Sequence, residues 1–290
     1  MCDEHRKKGM WFTVLVLLFF MTCILLLLGM IPSSSPLVDV DAPLNMALFR
    51  APAQSYSYQL VNVWVEKSWS KTGQRIPCRL EQSGAKKTDS LIIYSHGNSE
   101  NLLSCMPFLR EAAQTLRTDM LSWDYSGFGL NEAEKYERTA EGVNLSLQSV
   151  VSYARTTLGY TTILLWGYSL GTGPSLAVAA EASAKVSGVV CFAAYTSILD
   201  VVREWTHDRV ASLFDERWNN REAITKILCP VLLLHGQQDQ LIPVRHSEEL
   251  KKTCPNATLV VLPKTGHAAY EWSEILHHVS RWKSNLEAEA

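Results

Sequence analysis

The chain has 290 residues, 47% of them apolar, with a formal charge of −2. That is enough to bury a full core and to hold one domain of about 230 to 250 residues, with no compositional sign of disorder or coiled coil. The near-neutral balance excludes the basic footprint of a nucleic-acid binder, for which a domain pI above about 9 is expected. The seven cysteines form no CxxC pair, and the five beyond the first apolar segment are an odd number, so neither a disulfide scaffold nor a zinc cluster is indicated.

A short tail (1–9) carries Arg6, Lys7 and Lys8, and residues 10–31 follow without a charge, mostly Leu, Val, Phe and Met. A run of about 20 such residues is long enough to cross a bilayer as a helix. A cleaved signal peptide or a buried helix are the alternatives, but the run is long for the first and Pro32 and Pro36 crowd the cleavage position. The expectation is an uncleaved signal-anchor. Basic residues before the span and Asp39 and Asp41 after it favour a type II orientation, with the body lumenal or extracellular in the endomembrane system or plasma membrane. The sequons at Asn144 and Asn256 fit an N-glycosylated lumenal domain.

Residues 32–54, rich in Pro, Ser and Ala, read as a linker to a catalytic domain over 55–290. Gln59 to Glu66 alternates in polarity and Arg75 to Leu80 follows, which predicts an antiparallel hairpin at a sheet edge. Beyond it come short apolar runs at Leu91–Tyr94, Met120–Trp123, Thr162–Trp166, Val186–Phe192, Val231–Leu234 and Leu259–Leu262. Near-continuous apolarity is the mark of strands covered on both faces. Helices are predicted between them at Met106–Leu116, Arg138–Leu158, Gly173–Ser183, Val244–Lys252 and Ala268–Trp282. The alternation defines an α/β fold with a mostly parallel sheet and helices on both faces. It lapses over 196–226, where a short helical stretch (Val201 to Phe214) reads as a small cap with Trp205 and Trp218.

Chemistry concentrates where strands end. After Trp166 comes Gly167-Tyr168-Ser169-Leu170-Gly171, followed by the small-residue helix that holds Ser175 to Ala180. GxSxG alone is common. Between strand and helix it describes a nucleophile elbow, with the serine in a strained turn at the top of the sheet. In this architecture acid and histidine follow in that order. Asp239 lies just past one strand end and His267, after Gly266, just past the next, at an expected helix entrance. His267 would take the serine proton while Asp239 holds its tautomer. His235, His246, His277 and His278 are rival bases, and Asp200 and Asp208 rival acids, less well placed in order and position. The loop Ser95-His96-Gly97-Asn98-Ser99 follows the first parallel strand and offers the Asn98 backbone N–H as partner to that of Leu170 for an oxyanion. His96 reads as structural there, and Asp124, in Asp124-Tyr125-Ser126-Gly127-Phe128-Gly129, as an organiser of its loop. The absence of GxGxxG, of a Walker lysine and of HExxH argues against dinucleotide, nucleotide and zinc-hydrolytic chemistry.

Taken together, Phe49-Arg50-Ala51-Pro52, Ser95-His96-Gly97-Asn98, Asp124 to Gly129, Gly167 to Thr172, His235 to Asp239 and Gly266-His267 resemble the α/β-hydrolases, from Leu48 to Trp282. The branch they resemble is that of the alpha/beta-hydrolase domain seventeen proteins and their membrane-anchored relatives. The resemblance implies Ser169 as nucleophile, Asp239 as acid, His267 as base, and thioesterase activity on palmitoylated cysteines without a cofactor. The chain departs from that branch in carrying an apolar span instead of a cysteine-rich N-terminus, and in Leu130-Asn131 after the Gly-Phe-Gly turn. The expected function is a membrane-tethered acyl thioesterase or esterase, with a lipid or S-acylated protein as substrate and no obligate protein partner. A lysophospholipid or monoacylglycerol lipase and a non-enzymatic scaffold on the same fold are the alternatives.

Overall fold

A computed structural model describes residues 44, 48, 49, 51, 52, 56–67, 69, 73–84, 88–131 and 138–289. Among the described residues, eight strands form one sheet in the order β1-β2-β4-β3-β5-β6-β7-β8. They are β1 (Val63–Glu66), β2 (Arg75–Glu81), β3 (Ser90–Ser95), β4 (Asp119–Trp123), β5 (Thr162–Tyr168), β6 (Gly188–Phe192), β7 (Val231–Gly236) and β8 (Ala257–Leu262). β1 and β2 form the antiparallel hairpin at one edge, with Val63 opposite Cys78, and β2 joins β4 antiparallel. All later pairings are parallel. The expected first strand begins later than its alternation implied, because residues Tyr58–Leu60 close a short 3₁₀ turn capped by the Ser57 side chain.

Each central strand sorts its apolar residues to opposite faces with period two. Leu91, Ile93, Ile163, Leu165, Val189, Cys191, Val231 and Leu233 enter one core. Ile92, Tyr94, Leu164, Trp166, Val190, Phe192, Leu232 and Leu234 enter the other. The first face is covered by α2 (Ala140–Thr156), α3 (Thr172–Ala179) and α7 (Arg245–Thr253), through residues such as Leu147, Val150, Leu176 and Leu250. The second is covered by α1 (Leu102–Leu116) and α8 (Trp272–Glu289), through Phe108, Leu109, Ile275 and Val279. Between β6 and β7 lie three short helices, α4 (Ile198–Trp205), α5 (Asp208–Ala211) and α6 (Asn220–Thr225).

α1 starts four residues before the expected Met106, because Asn101 and Ser104 bond each other's backbone N–H in a reciprocal cap. Pro107 is then an interior residue of the helix. α8 starts four residues after the expected Ala268, since Gly266 N–H donates to Ala269 O at 2.9 Å and turns the chain. His267 therefore rides on a loop.

The expected N-terminal transmembrane helix requires correction. Among the described residues no helix is long and apolar enough to cross a membrane. The longest of them, α8, carries Glu274, Arg281, Lys283 and Glu287, charges that hydrocarbon does not accommodate. The segment 10–31 to which the span was assigned lies outside the described residues, as do the tail 1–9 and most of the linker. Among the described residues the fold is an α/β one, a mostly parallel sheet with helices on both faces. The membrane tether, the signal-anchor, the single-pass type II topology and the lumenal or extracellular placement do not enter the functional reading.

Candidate active site

The parallel strands β3, β5, β7 and β8 all point their C-terminal ends to one rim of the sheet. β3 has β4 on one side and β5 on the other, so the strand order reverses there, the position where open sheets build their sites. Ser169 opens a single 3₁₀ turn between β5 and α3 and holds φ +50°. A non-glycine residue in that region is strained and is kept there by its surroundings. The surroundings are tight: a Cβ at Gly167 would lie 2.4 Å from Gly171 O. The Thr172 hydroxyl closes the turn by donating to Ser169 O at 2.7 Å.

Ser169 Oγ lies 3.0 Å from His267 Nε2. His267 Nδ1 lies 2.7 Å from Asp239 Oδ2. Ninety-eight residues separate the serine from the histidine in sequence. Asp239 Oδ1 accepts the backbone N–H groups of Leu241 and Ile242 at 2.9 and 2.8 Å. Burial works to raise the Asp239 carboxyl, but bonds from His235, His267 and the Ile242 N–H outweigh it and hold the group below the usual carboxylate range. A depressed folded value means stability that is fully present above the unfolded value of about 4 and is lost as pH falls below it. The stability gap between wild type and Asp239→Asn, measured by urea unfolding, is therefore expected to be widest at neutral pH and to narrow from about pH 4 towards pH 2. A gap that stays constant across that range would show that folding does not depress the Asp239 carboxyl.

The expected donor loop follows β3. Gly97, Asn98, Ser99 and Glu100 reverse the chain before α1, with Ser99 at φ +65° and its N–H on Asn98 Oδ1 at 3.1 Å. Leu170 occupies the turn directly after Ser169, its carbonyl accepting from Tyr195 Oη at 3.3 Å. Asp124 is fully buried and binds across loops: Oδ1 accepts the Leu102 N–H at 2.9 Å and Oδ2 the Tyr56 hydroxyl. The imidazole of His96 stacks on Tyr125 with ring centroids 4.1 Å apart and stands 3.5 Å from Asp124. Both support the loops from below.

The rival residues are engaged elsewhere. His235 is buried, with Nδ1 2.7 Å from Ser247 Oγ and Nε2 2.7 Å from Ile242 O, so it braces the acid loop. His246 sits under Thr196, 2.8 Å from its hydroxyl, and burial pushes its imidazole down to about 4. Asp200 is bound by Thr196, Arg203 and Arg221 at 2.6, 2.7 and 2.9 Å. Asp208 is exposed beside Arg203, and His277 and His278 face each other on α8. Of the two sequons, Asn144 lies half-buried in α2 with Oδ1 accepting from Trp218 Nε1 at 2.8 Å. Asn256 is exposed, its Nδ2 donating to Leu228 O at 3.2 Å. Among the described residues, no group of three or more His, Cys, Asp or Glu is arranged to hold a metal ion.

Two residues at the site carried no signal in the sequence. Tyr168 donates its hydroxyl to His267 O at 2.8 Å, tying the elbow to the histidine loop. Glu100 accepts the Gly97 N–H at 2.6 Å. Both contacts depend on which loops the sheet order makes neighbours, and a linear motif does not encode that.

This geometry, on this fold, is that of a serine hydrolase. The alpha/beta hydrolase fold family matches residues 90–215 and 195–274, and the chain belongs to it. It is similar to an alpha/beta hydrolase of Acanthamoeba polyphaga mimivirus, 26% identical over 220 residues, covering 73% of this chain and 81% of that protein. It is also similar to human alpha/beta hydrolase domain-containing protein 17C, 26% identical over 197 residues, where 67% of this chain spans 57% of the relative. Among solved structures, Est1E from Butyrivibrio proteoclasticus with ferulic acid bound superposes with a TM-score of 0.64 at 19% identity, covering 78% of this chain and 99% of that one. Mouse alpha/beta hydrolase domain-containing protein 10 gives 0.55 at 17% identity, covering 78% and 98%.

Proposed function

We propose that the chain hydrolyses acyl esters or thioesters, with Ser169 as nucleophile, His267 as base and Asp239 as its acid. The observation that carries this reading is the unbroken relay from Ser169 Oγ through His267, at 3.0 and 2.7 Å, to an acid held ionised. His267 Nε2 takes the hydroxyl proton as Oγ attacks the acyl carbon, and the carbonyl oxygen becomes an oxyanion. The backbone N–H groups of Asn98 and Leu170 receive that charge, a contribution of about 3 to 4 kcal/mol for each well-placed donor. The tetrahedral species collapses as the imidazolium returns its proton to the leaving thiolate or alkoxide. Water then enters by the same route and frees the acid.

For the acyl group we take a fatty chain, carried on a protein cysteine or a lipid glycerol. The resemblance in Ser95 to Asn98 and Asp124 to Gly129 favours the protein thioester. Residues 55–290 form the catalytic body in this reading, and α4, α5 and α6 its small cap.

A fluorophosphonate probe is expected to label the wild type and to leave Ser169→Ala unlabelled. Failure of the folded wild type to label would overturn the seryl mechanism. Turnover of a palmitoylated peptide beside a lysophospholipid then decides the leaving group: faster thioester cleavage supports the protein substrate, and faster lysophospholipid cleavage replaces it by a lipid ester.

A further inference from the structure

The turn that offers the Asn98 N–H is closed by two bonds between its ends. Glu100 N–H donates to Gly97 O at 3.3 Å, and Gly97 N–H donates to Glu100 Oε2 at 2.6 Å. The second is short, made by a side chain reaching back across the turn to the amide immediately before Asn98. Ser99 within the turn holds φ +65°, a conformation that a non-glycine residue keeps only when its neighbours fix it. There is no slack beneath. A Cβ at Gly97 would lie 2.9 Å from Tyr168 Cδ1 and 3.1 Å from Glu100 Oε2. Tyr168 is the residue before the nucleophile, and its hydroxyl holds His267 O. Gly97, held by the Glu100 carboxyl, thus lies directly against the layer that carries Ser169 and His267. Burial pushes this carboxyl above the usual range, while His96, the Gly97 N–H and His267 pull the other way.

We propose that Glu100 is the positioning residue of the oxyanion loop: its carboxyl clamps the Gly97 N–H and its own N–H holds Gly97 O, the carbonyl of the peptide that carries the Asn98 N–H, and together they set the direction in which that N–H points. This rests on the seryl reading above. Glu100 does not touch the reacting atoms. Its effect passes through the loop, and it concerns a charge that exists only in the transition state, so it acts on kcat and leaves KM nearly unchanged.

The test compares Glu100→Ala, Glu100→Gln and Glu100→Asp on a p-nitrophenyl acyl ester, with thermal unfolding and fluorophosphonate labelling alongside. Losing one oxyanion donor lowers kcat by about 100- to 1,000-fold, and misdirecting it without removing it is expected to lower kcat by roughly 10- to 100-fold in Glu100→Ala. Glu100→Gln keeps an acceptor oxygen at the same reach and is expected to recover most of kcat, whereas Glu100→Asp, one methylene shorter, is not. A merely structural glutamate would show no such ordering at equal unfolding temperature. Wild-type kcat in Glu100→Ala, a loss confined to KM, or Glu100→Gln no better than Glu100→Ala would each overturn the assignment. If Glu100→Ala does not fold, the order Glu100→Gln above Glu100→Asp in kcat carries the test, and equal values overturn it. Wild type that labels and turns over while Glu100→Ala is unaffected sinks this inference alone. Wild type that does not label sinks the seryl mechanism beneath it.

Discussion

Ser169→Ala is expected to lower kcat by about 10⁴- to 10⁶-fold while leaving the fold intact. The hydroxyl is the atom that forms the acyl bond, and the base is aligned on it: His267 Nε2 faces Ser169 Oγ, and Nδ1 is committed to Asp239. Stability should move by no more than about 1 kcal/mol, because the only side-chain partner lost is the partly exposed His267. Alanine also inherits the same φ +50° strain, so the backbone gains no new freedom. The sharper form of the prediction is non-additivity. Serine and histidine perform one act, the removal of one proton during one attack, so Ser169→Ala/His267→Ala should be no slower than Ser169→Ala. Steady-state rates of the two single variants and the double variant check this. Turnover by Ser169→Ala within tenfold of wild type, or losses that add, would mean that the two groups do not share a step.

The rim at which these residues meet was legible from the sequence because each sits one or two turns past an apolar run. In a parallel sheet such positions share an edge whatever the strand order. Ser169, Asp239 and His267 needed only that rule and the order of the motifs along the chain. The strands themselves were legible for a related reason: buried on both faces, Leu91–Tyr94 and Val231–Leu234 have no polar interruption. What was not legible is lateral. Nothing in the residues of β3 says that its neighbours are β4 and β5, and so nothing says that Tyr168 will lie beneath Gly97 or reach His267 O.

Where the sequence reading went astray, a local bond decided against a pattern. Pro107 is compatible with a first helical turn, yet the Asn101–Ser104 cap begins α1 earlier and makes the proline interior. Ala268 and Ala269 favour helix, yet the bond from Gly266 N–H to Ala269 O spends them on the turn that presents His267. α6 was not foreseen at all: Asn219 accepts the Glu222 N–H and starts a single short helix in a stretch with too few residues for a periodic stripe. The apolar run at 10–31 gave the strongest compositional signal in the chain, and it belongs to no described helix.

Gly171→Ala is expected to be severely destabilising, and the reason is not conformational. Gly171 sits at φ −64°, ψ −14°, where alanine is at ease, so backbone strain predicts no penalty. Space predicts a severe one. The added Cβ would lie 2.0 Å from Ser95 O, 2.6 Å from Ser95 C and 2.8 Å from His96 O. All three are backbone atoms at the end of β3, unable to rotate away, and displacing them means parting β3 from β5 at their Ser95–Gly167 pairing. Overpacking of this kind costs about 3 kcal/mol or more, which for a domain of this size lowers Tm by roughly 6 to 12 °C. Gly159→Ala is the converse control: its Cβ meets nothing within 4 Å, but Gly159 holds φ +81°. That substitution should cost only the left-handed penalty of about 1 to 2 kcal/mol. Thermal unfolding of the two variants separates the causes. A smaller loss in Gly171→Ala than in Gly159→Ala would mean that β3 and the elbow are not in the close contact on which the whole rim depends, and the 3.0 Å between Ser169 and His267 would lose its support.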